Sequence, residues 1–323
     1  MTASPTVSIC IRAWRRKSLT AAIESVLAQT FTDLEVVVAD DRGDLEDVSS
    51  AFADPRVRYH RNEERLGVTG NARAALNLAR GTYIGLLADD DRLLPGYVEE
   101  AVNRFRDDPA LGIVFTNHYF DRTGQLLARS IPLAAGRYEG PDFLPTLLRH
   151  QPVWLSAALM RREVWEEGER SHPLQELAVA DMQIWIRAVL ANWPFYYIDS
   201  PLAIMQIHDG RISLSDAFRD YQVALWELFE FEDPESERLR REHLARSYVS
   251  RAAAHVRSGK GLEARADLDH AREADADEQR VRRRLFALLA RNRVLASAAR
   301  RAWHLFRRVR PYRSGELGRV GSP

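Results

Sequence analysis

Apolar positions along the first 120 residues follow two alternating rhythms. Residues 6–11, 34–39, 57–60, 82–87 and 112–116 are short, β-rich apolar runs. Between them the apolar spacing becomes helical. Residues 17–29 place Leu19, Ala22, Ile23, Val26 and Leu27 on one face, and residues 45–52 predict a short helix. Residues 67–80 predict a helix entered through the loop 66–70, and residues 95–106 another, opened by Pro95 at a first-turn position. The run 34–39 is almost wholly apolar and β-branched, which predicts a strand covered on both faces. Strands separated by crossovers of this length predict an α/β domain with a mostly parallel sheet flanked by helices.

The middle of the chain is less regular. Residues 119–130 predict a hairpin turning at 122–124, residues 137–149 a loop and a helix, and residues 152–160 a strand-like run with Trp154 and Ser156. A helical face over 177–190 carries Asp181 in its first turn, residues 195–198 form a strand, and residues 202–207 lead to His208. From 216 the β pattern stops and amphipathic helical spacing continues to 310. The expected organisation is a domain over 1–215, an all-α region over 216–310 and a disordered tail over 311–323.

The chemistry gathers where strands end. The strand at 82–87 runs directly into Asp89, Asp90 and Asp91, and the strand at 34–39 ends in Asp40 and Asp41. Ligands of parallel α/β sheets sit beyond the carboxyl ends of the strands, so two separate strands deliver acids to one edge. Adjacent carboxylates repel unless a cation lies between them, and a hard divalent ion, Mn2+ or Mg2+, suits oxygen ligands and phosphates. An acidic turn favoured by the following helix N-terminus is the other reading of the same residues. Asp181 is likewise open to a helix-dipole reading, and His208, Trp14 and Arg73 to ordinary structural roles.

Composition narrows the partners. The 323 residues hold 46 Lys+Arg and 46 Asp+Glu, a net charge of zero, and no nucleic-acid-binding motif. The single cysteine, Cys10, lies in an apolar run and reads as a core thiol, incapable of an internal disulfide. No basic, apolar leader opens the sequence and no apolar run approaches the length of a bilayer span, so a cytoplasmic protein is expected. Residues 281–310 carry ten arginines and no acid, interleaved with apolar residues. This stretch suits either peripheral contact with an anionic membrane or packing against a protein surface. Walker, Rossmann and nucleophile-elbow patterns are absent.

Taken in order, several segments resemble family 2 glycosyltransferases of GT-A fold. They are Val-Ser-Ile-Cys-Ile at 7–11, Ala-Ala-Ile-Glu-Ser-Val-Leu-Ala-Gln-Thr-Phe at 21–31 and Leu-Glu-Val-Val-Val-Ala-Asp-Asp at 34–41. Gly-Thr-Tyr at 81–83 with Ala-Asp-Asp-Asp at 88–91 is similar to the family's Asp-x-Asp-type motif, Ala-Asp-Met-Gln-Ile-Trp-Ile-Arg at 180–187 to its segment with the catalytic acid, and Gln-Ile-His at 206–208 followed by Ser213 to its closing His segment. The resemblance covers about residues 5–215. It implies an inverting, metal-dependent transfer of a sugar from a nucleotide-diphosphate donor to a glycan, lipid-linked or small-molecule acceptor. It assigns Asp181 as general base. Donor contacts fall to Trp14 and Asp41 at the base, Arg73 near the diphosphate and Asp89 at the ribose or metal. Asp90, Asp91 and His208 would form the metal site. The family's usual Pro-Thr-Tyr-Asn is Arg12-Ala-Trp-Arg15 here, and the first acid of the commonest Asp-x-Asp-Asp form is Ala88.

The chemistry agrees with that set. One carboxylate must take a proton from the acceptor hydroxyl, while a cation stabilises the leaving diphosphate. Two rival readings remain. A nucleotidyltransferase would want a Gly-rich basic loop after the first strand, and residues 11–17 are basic without glycine. A non-catalytic nucleotide-sugar-binding scaffold would tolerate loss of Asp181.

Overall fold

The computed structural model describes residues 4–122, 124–177, 180–208 and 215–275. Ser213, the basic stretch 281–310 and the tail 311–323 lie outside the described residues. The chain divides into two compact units after His208.

The first unit is built on one mixed sheet. Strands β1 (Val7–Ala13), β2 (Leu34–Asp40), β3 (Val57–Arg61) and β4 (Tyr83–Ala88) are mutually parallel, and β1 lies between β2 and β4. The connections are α1 (Arg16–Leu27), α2 (Glu46–Ser50) and α3 (Gly67–Asn77). All seven β2 positions are buried, as a strand covered on both faces requires. One buried polar residue in β2 ties four elements together. Glu35 accepts from Ser8 Oγ (2.6 Å), Arg58 (2.7 Å) and the Arg80 amide (2.8 Å). Burial alone would raise its pKa, but these donors outweigh burial and hold it below the usual value.

Beyond β4 the sheet continues through antiparallel β9 (Ala158–Arg161) to β6 (Ile113–Arg122), then to β10 (Phe195–Gln206), which is parallel to β6, and to the two-residue β5 (Arg92–Leu93). Strands β7 (Gln125–Ala128) and β8 (Gly136–Tyr138) pair with β6 and β10. The hairpin expected at 122–124 is the β6–β7 turn.

Three local expectations need correction. Pro95 does not open a helix: Arg92 and Leu93 first add to β10, and α4 (Tyr97–Asp107) starts two residues after the proline. The run 152–160 is a strand only from Ala158, because Leu155–Ala157 forms a 3-10 turn. The two runs at 195–198 and 202–207 are one strand, β10, whose register shifts around Pro201, a residue with no amide to donate to the ladder. Helix α6 (Arg162–Ser171) was not foreseen. Helices α5 (Gly140–His150) and α7 (Ala180–Leu190) lie near their expected places.

The second unit contains α8 (Asp216–Leu228), α9 (Pro234–Arg257) and α10 (Gly261–Ala274). Ser215 and Asp233 cap α8 and α9 by accepting from Phe218 N and Ser236 N, and Pro234 occupies the first turn of α9, where no amide partner is lost. Val223, Tyr248, Val249, Ala252, Val256, Ala264, Leu268 and Ala271 form its core. Arg251 and the buried Asp267 join α9 to α10 at 2.7 Å.

Candidate active site

The carboxyl ends of β1, β2 and β4 collect the functional side chains at one sheet edge. Beyond β1 the chain runs through Trp14 and Arg15 into α1. Both backbone amides donate to one oxygen of Asp89, Trp14 N at 2.6 Å. Asp89, only 2 % exposed, thus fixes the turn between β1 and α1. The Arg15 guanidinium adds contacts at 3.3 Å to Asp89 Oδ1 and 3.4 Å to Asp90 Oδ2.

The three consecutive aspartates have three different surroundings. Asp91 faces the protein, where Oδ2 accepts from Ser156 Oγ (2.6 Å) and Oδ1 from the Gln206 amide (3.0 Å). Ser156 also accepts from the Ala88 amide, so the 3-10 turn holds both sides of the acidic segment. Burial pushes Asp91 up to about 7, with the Asp90 charge adding to the rise and Arg12 opposing it. Asp90 is the more open member, and its Oδ2 lies 2.8 Å from His208 Nε2. The residue pair that faces one another as expected cation ligands is therefore Asp90 and His208, while both Asp91 oxygens are engaged by the protein.

One carboxylate and one imidazole are a partial ligand set. Among the described residues no three His, Cys, Asp or Glu side chains converge as a metal cage. Hard divalent ions at phosphate sites use one or two carboxylates and take their other ligands from water and phosphate. The donor chemistry of Asp90 and His208 fits such an ion when a diphosphate completes the shell.

Asp41 accepts from Asn62 Nδ2 (3.0 Å), Leu66 N (2.6 Å) and Gly67 N (2.9 Å), and so fixes the entry to α3. Gly67 has φ +73, a left-handed conformation that favours glycine. Asp40 is fully buried and accepts from the amides of Arg42, Gly43 and Leu45 and from the Tyr59 hydroxyl. Trp14 is 41 % exposed, and the Arg65 guanidinium lies 4.5 Å from its ring centroid.

Arg73 is held by protein groups. It pairs with Glu169 (3.1 Å) and Glu176 (2.9 Å) and donates to the Leu174 carbonyl. Thr69 donates to the Leu177 carbonyl nearby. Helix α3 thereby grips the segment that leads to α7, whose first turn carries Asp181. Burial raises the Asp181 pKa, and the Arg12 charge opposes that rise.

Arg12 and Arg15 are the residues that sequence reasoning left without roles at this edge. Arg12 lies in β1 between Ala39 of β2 and Ala88 of β4, and its charge acts on both Asp91 and Asp181. Its signal in the sequence is a cation at the exit of an apolar strand, on the edge where the aspartates emerge. Ser156 and Gln206 gave no comparable signal.

Comparison with known proteins agrees with this architecture. The profile described as Glycosyl transferase family 2 matches residues 8–168. An Escherichia coli chondroitin synthase is 39% identical over 131 residues, covering 38% of this chain and 19% of that protein. The Escherichia coli UDP-Glc:alpha-D-GlcNAc-diphosphoundecaprenol beta-1,3-glucosyltransferase WfaP is 29% identical over 119 residues, covering 36% of this chain and 47% of that protein. The chain thus spans less than half the length of either relative. A structure of S. aureus TarS 1-349 in complex with UDP-GlcNAc superposes with a TM-score of 0.65 at 16% identity, covering 95% of this chain and 93% of that one. That likeness shows the fold, a GT-A type α/β unit followed by an all-α region. No helix among the described residues is long and apolar enough to cross a membrane. Through the unit that carries the acidic edge, the chain belongs to glycosyltransferase family 2.

Proposed function

We propose that this chain is an inverting, metal-dependent glycosyltransferase that moves a sugar from a nucleotide-diphosphate donor to a hydroxyl of a glycan or lipid-linked acceptor. The observation that carries the reading is the pairing of Asp90 with His208 at 2.8 Å, on the edge where Arg15 and Arg12 supply positive charge. When bound there, a divalent cation supplies Lewis-acid stabilisation of the departing diphosphate. Asp90 and His208 hold that end of the donor. Asp181 accepts the proton of the acceptor hydroxyl as the new glycosidic bond forms and the bond to the diphosphate breaks. Burial makes Asp181 more basic than an ordinary aspartate, which suits it to this task, while the Met182 amide and the Arg12 charge oppose the rise.

A lone base suits a single displacement, which inverts the anomeric centre. A double displacement would need a carboxylate nucleophile as well. The printed names of the relatives, a chondroitin synthase and a glucosyltransferase for a diphosphoundecaprenol-linked sugar, support a glycan or lipid-linked acceptor. The UDP-GlcNAc in the TarS complex supports a nucleotide-sugar donor.

The test is product stereochemistry. Incubation with a panel of α-linked nucleotide-sugars, Mn2+ and saccharide acceptors, read by NMR, is expected to give a β-linked product. Asp181→Asn is expected to abolish product while preserving donor-induced thermal stabilisation. Donor stabilisation in both proteins with no transfer by wild type to any acceptor would favour the binding-scaffold reading.

A further inference from the structure

The cation position at the end of β4 already has a claimant. Arg15 Nη1 stands 3.3 Å from Asp89 Oδ1 and 3.4 Å from Asp90 Oδ2, bridging neighbouring carboxylates as a metal ion would. The oxygen of Asp90 that it approaches is the one that meets His208 Nε2 at 2.8 Å. A guanidinium and an ion coordinated by Asp90 and His208 cannot share that oxygen without strong repulsion.

The tethering of the two carboxylates is unequal. Asp89 is held by the Trp14 and Arg15 backbone amides, contacts that do not depend on the Arg15 side chain. Asp90 has no such amide clamp among the hydrogen bonds described. The Arg15 side chain is itself 40 % exposed and flexible enough to move without unfolding the turn.

We propose that Arg15 is an internal counter-cation that competes with the divalent ion for Asp90. This rests on the reading of Asp90 and His208 as the cation site. In the free enzyme the guanidinium offsets part of the charge of the adjacent carboxylates and weakens binding of the ion alone. When the ion takes Asp90, the guanidinium leaves that oxygen while its backbone stays anchored to Asp89. It then stands beside the ion with one of its two carboxylate contacts given up, and the phosphates of a nucleoside diphosphate are the matching replacement. Ion and donor thereby favour one another, and the enzyme resists loading with metal in the absence of donor.

The test is Mn2+ binding to the donor-free full chain, measured by electron paramagnetic resonance of the free ion. Wild type is compared with Arg15→Gln, Arg15→Lys, and Arg15→Gln combined with Asp90→Ala, each checked for a cooperative unfolding transition. Arg15→Gln is expected to bind Mn2+ at least about five-fold more tightly than wild type, the lower end of ordinary coupling between sites. Arg15→Lys, which keeps the charge, is expected to fall between them, and Asp90→Ala is expected to abolish the gain. Equal or weaker Mn2+ binding by Arg15→Gln overturns the proposal while leaving the cation site standing. So does a gain that survives Asp90→Ala. Absence of Mn2+ binding in every protein overturns the proposal together with the cation site itself.

Discussion

Asp90 and His208 are separated by 118 positions in sequence and by 2.8 Å between Asp90 Oδ2 and His208 Nε2. The contact exists because β4 and β10 deliver their carboxyl-terminal residues to one edge, with Gln206 further fastened to Asp91 and Asp121. The pair defines the proposed cation site, so His208→Ala should weaken Mn2+ binding in the presence of a nucleoside diphosphate by roughly 10-fold or more. A Mn2+ titration of the variant against wild type checks this, and unchanged affinity would remove His208 from the site.

Asp181 and Arg12 make a prediction in pH. Burial raises the Asp181 pKa above that of an ordinary aspartate, and Arg12 opposes the rise. A base must be deprotonated, so activity should be lost as pH falls through the folded-state value. Replacing Arg12 with Met removes the opposing charge and raises that value further. The acidic limb of the kcat profile should therefore move to higher pH in Arg12→Met. A limb that stays in place would mean that the titrating group is not Asp181.

Arg73 is expected to act through position. Its contacts to Glu169, Glu176 and the Leu174 carbonyl hold the segment before α7. Arg73→Met should lower kcat by roughly 10- to 100-fold, the scale of an ångström-level displacement of a reacting group, with little change in the KM for donor. A dominant rise in donor KM would instead return Arg73 to the diphosphate.

Glu35 tests the scaffold under the site. Glu35→Gln leaves Ser8, Arg58 and the Arg80 amide facing a neutral group, at a cost of about 1–3 kcal/mol at neutral pH. The native Glu35 pKa is depressed, so its stabilisation is present above the ordinary carboxylate value and is lost as pH falls through the folded value. Thermal unfolding should show a gap between the two proteins at pH 7 that closes in acid.

Gly81 tests close approach. A Cβ there would meet Ser8 N at 2.6 Å and the Val7 carbonyl carbon at 2.7 Å, both backbone atoms that cannot turn aside. Gly81→Ala should destabilise the first unit by about 1–3 kcal/mol, measured by urea unfolding.

Much of this architecture was legible because apolar periodicity and strand-end acids are local signals. The parallel set β1 to β4 follows from runs such as 34–39, and Asp90 and His208, which the resemblance assigns to one site, do meet. The division of labour among the aspartates was not legible. Asp91 turns inward because Ser156 and Gln206, both distant in sequence, approach it, and no spacing rule encodes that meeting. Arg73 read as a helix-surface residue or a phosphate contact because its carboxylate partners lie about 100 positions away. Strand β10 read as two pieces because Pro201 interrupts its pattern, while the ladder resumes after a shift in register. Arg15 drew no role because a cation beside a predicted cation site matters only once the distances are known.

The most direct test of the donor site is a thermal-shift panel of UDP-, dTDP- and GDP-nucleotides, each with and without Mn2+, on wild type and Asp90→Ala. A ligand that binds only the native state at 100 times its Kd raises stability by about 2.7 kcal/mol. The account predicts that one nucleotide stabilises wild type in a Mn2+-dependent manner and that Asp90→Ala loses this stabilisation. Stabilisation that ignores Mn2+, or that persists in Asp90→Ala, would contradict it.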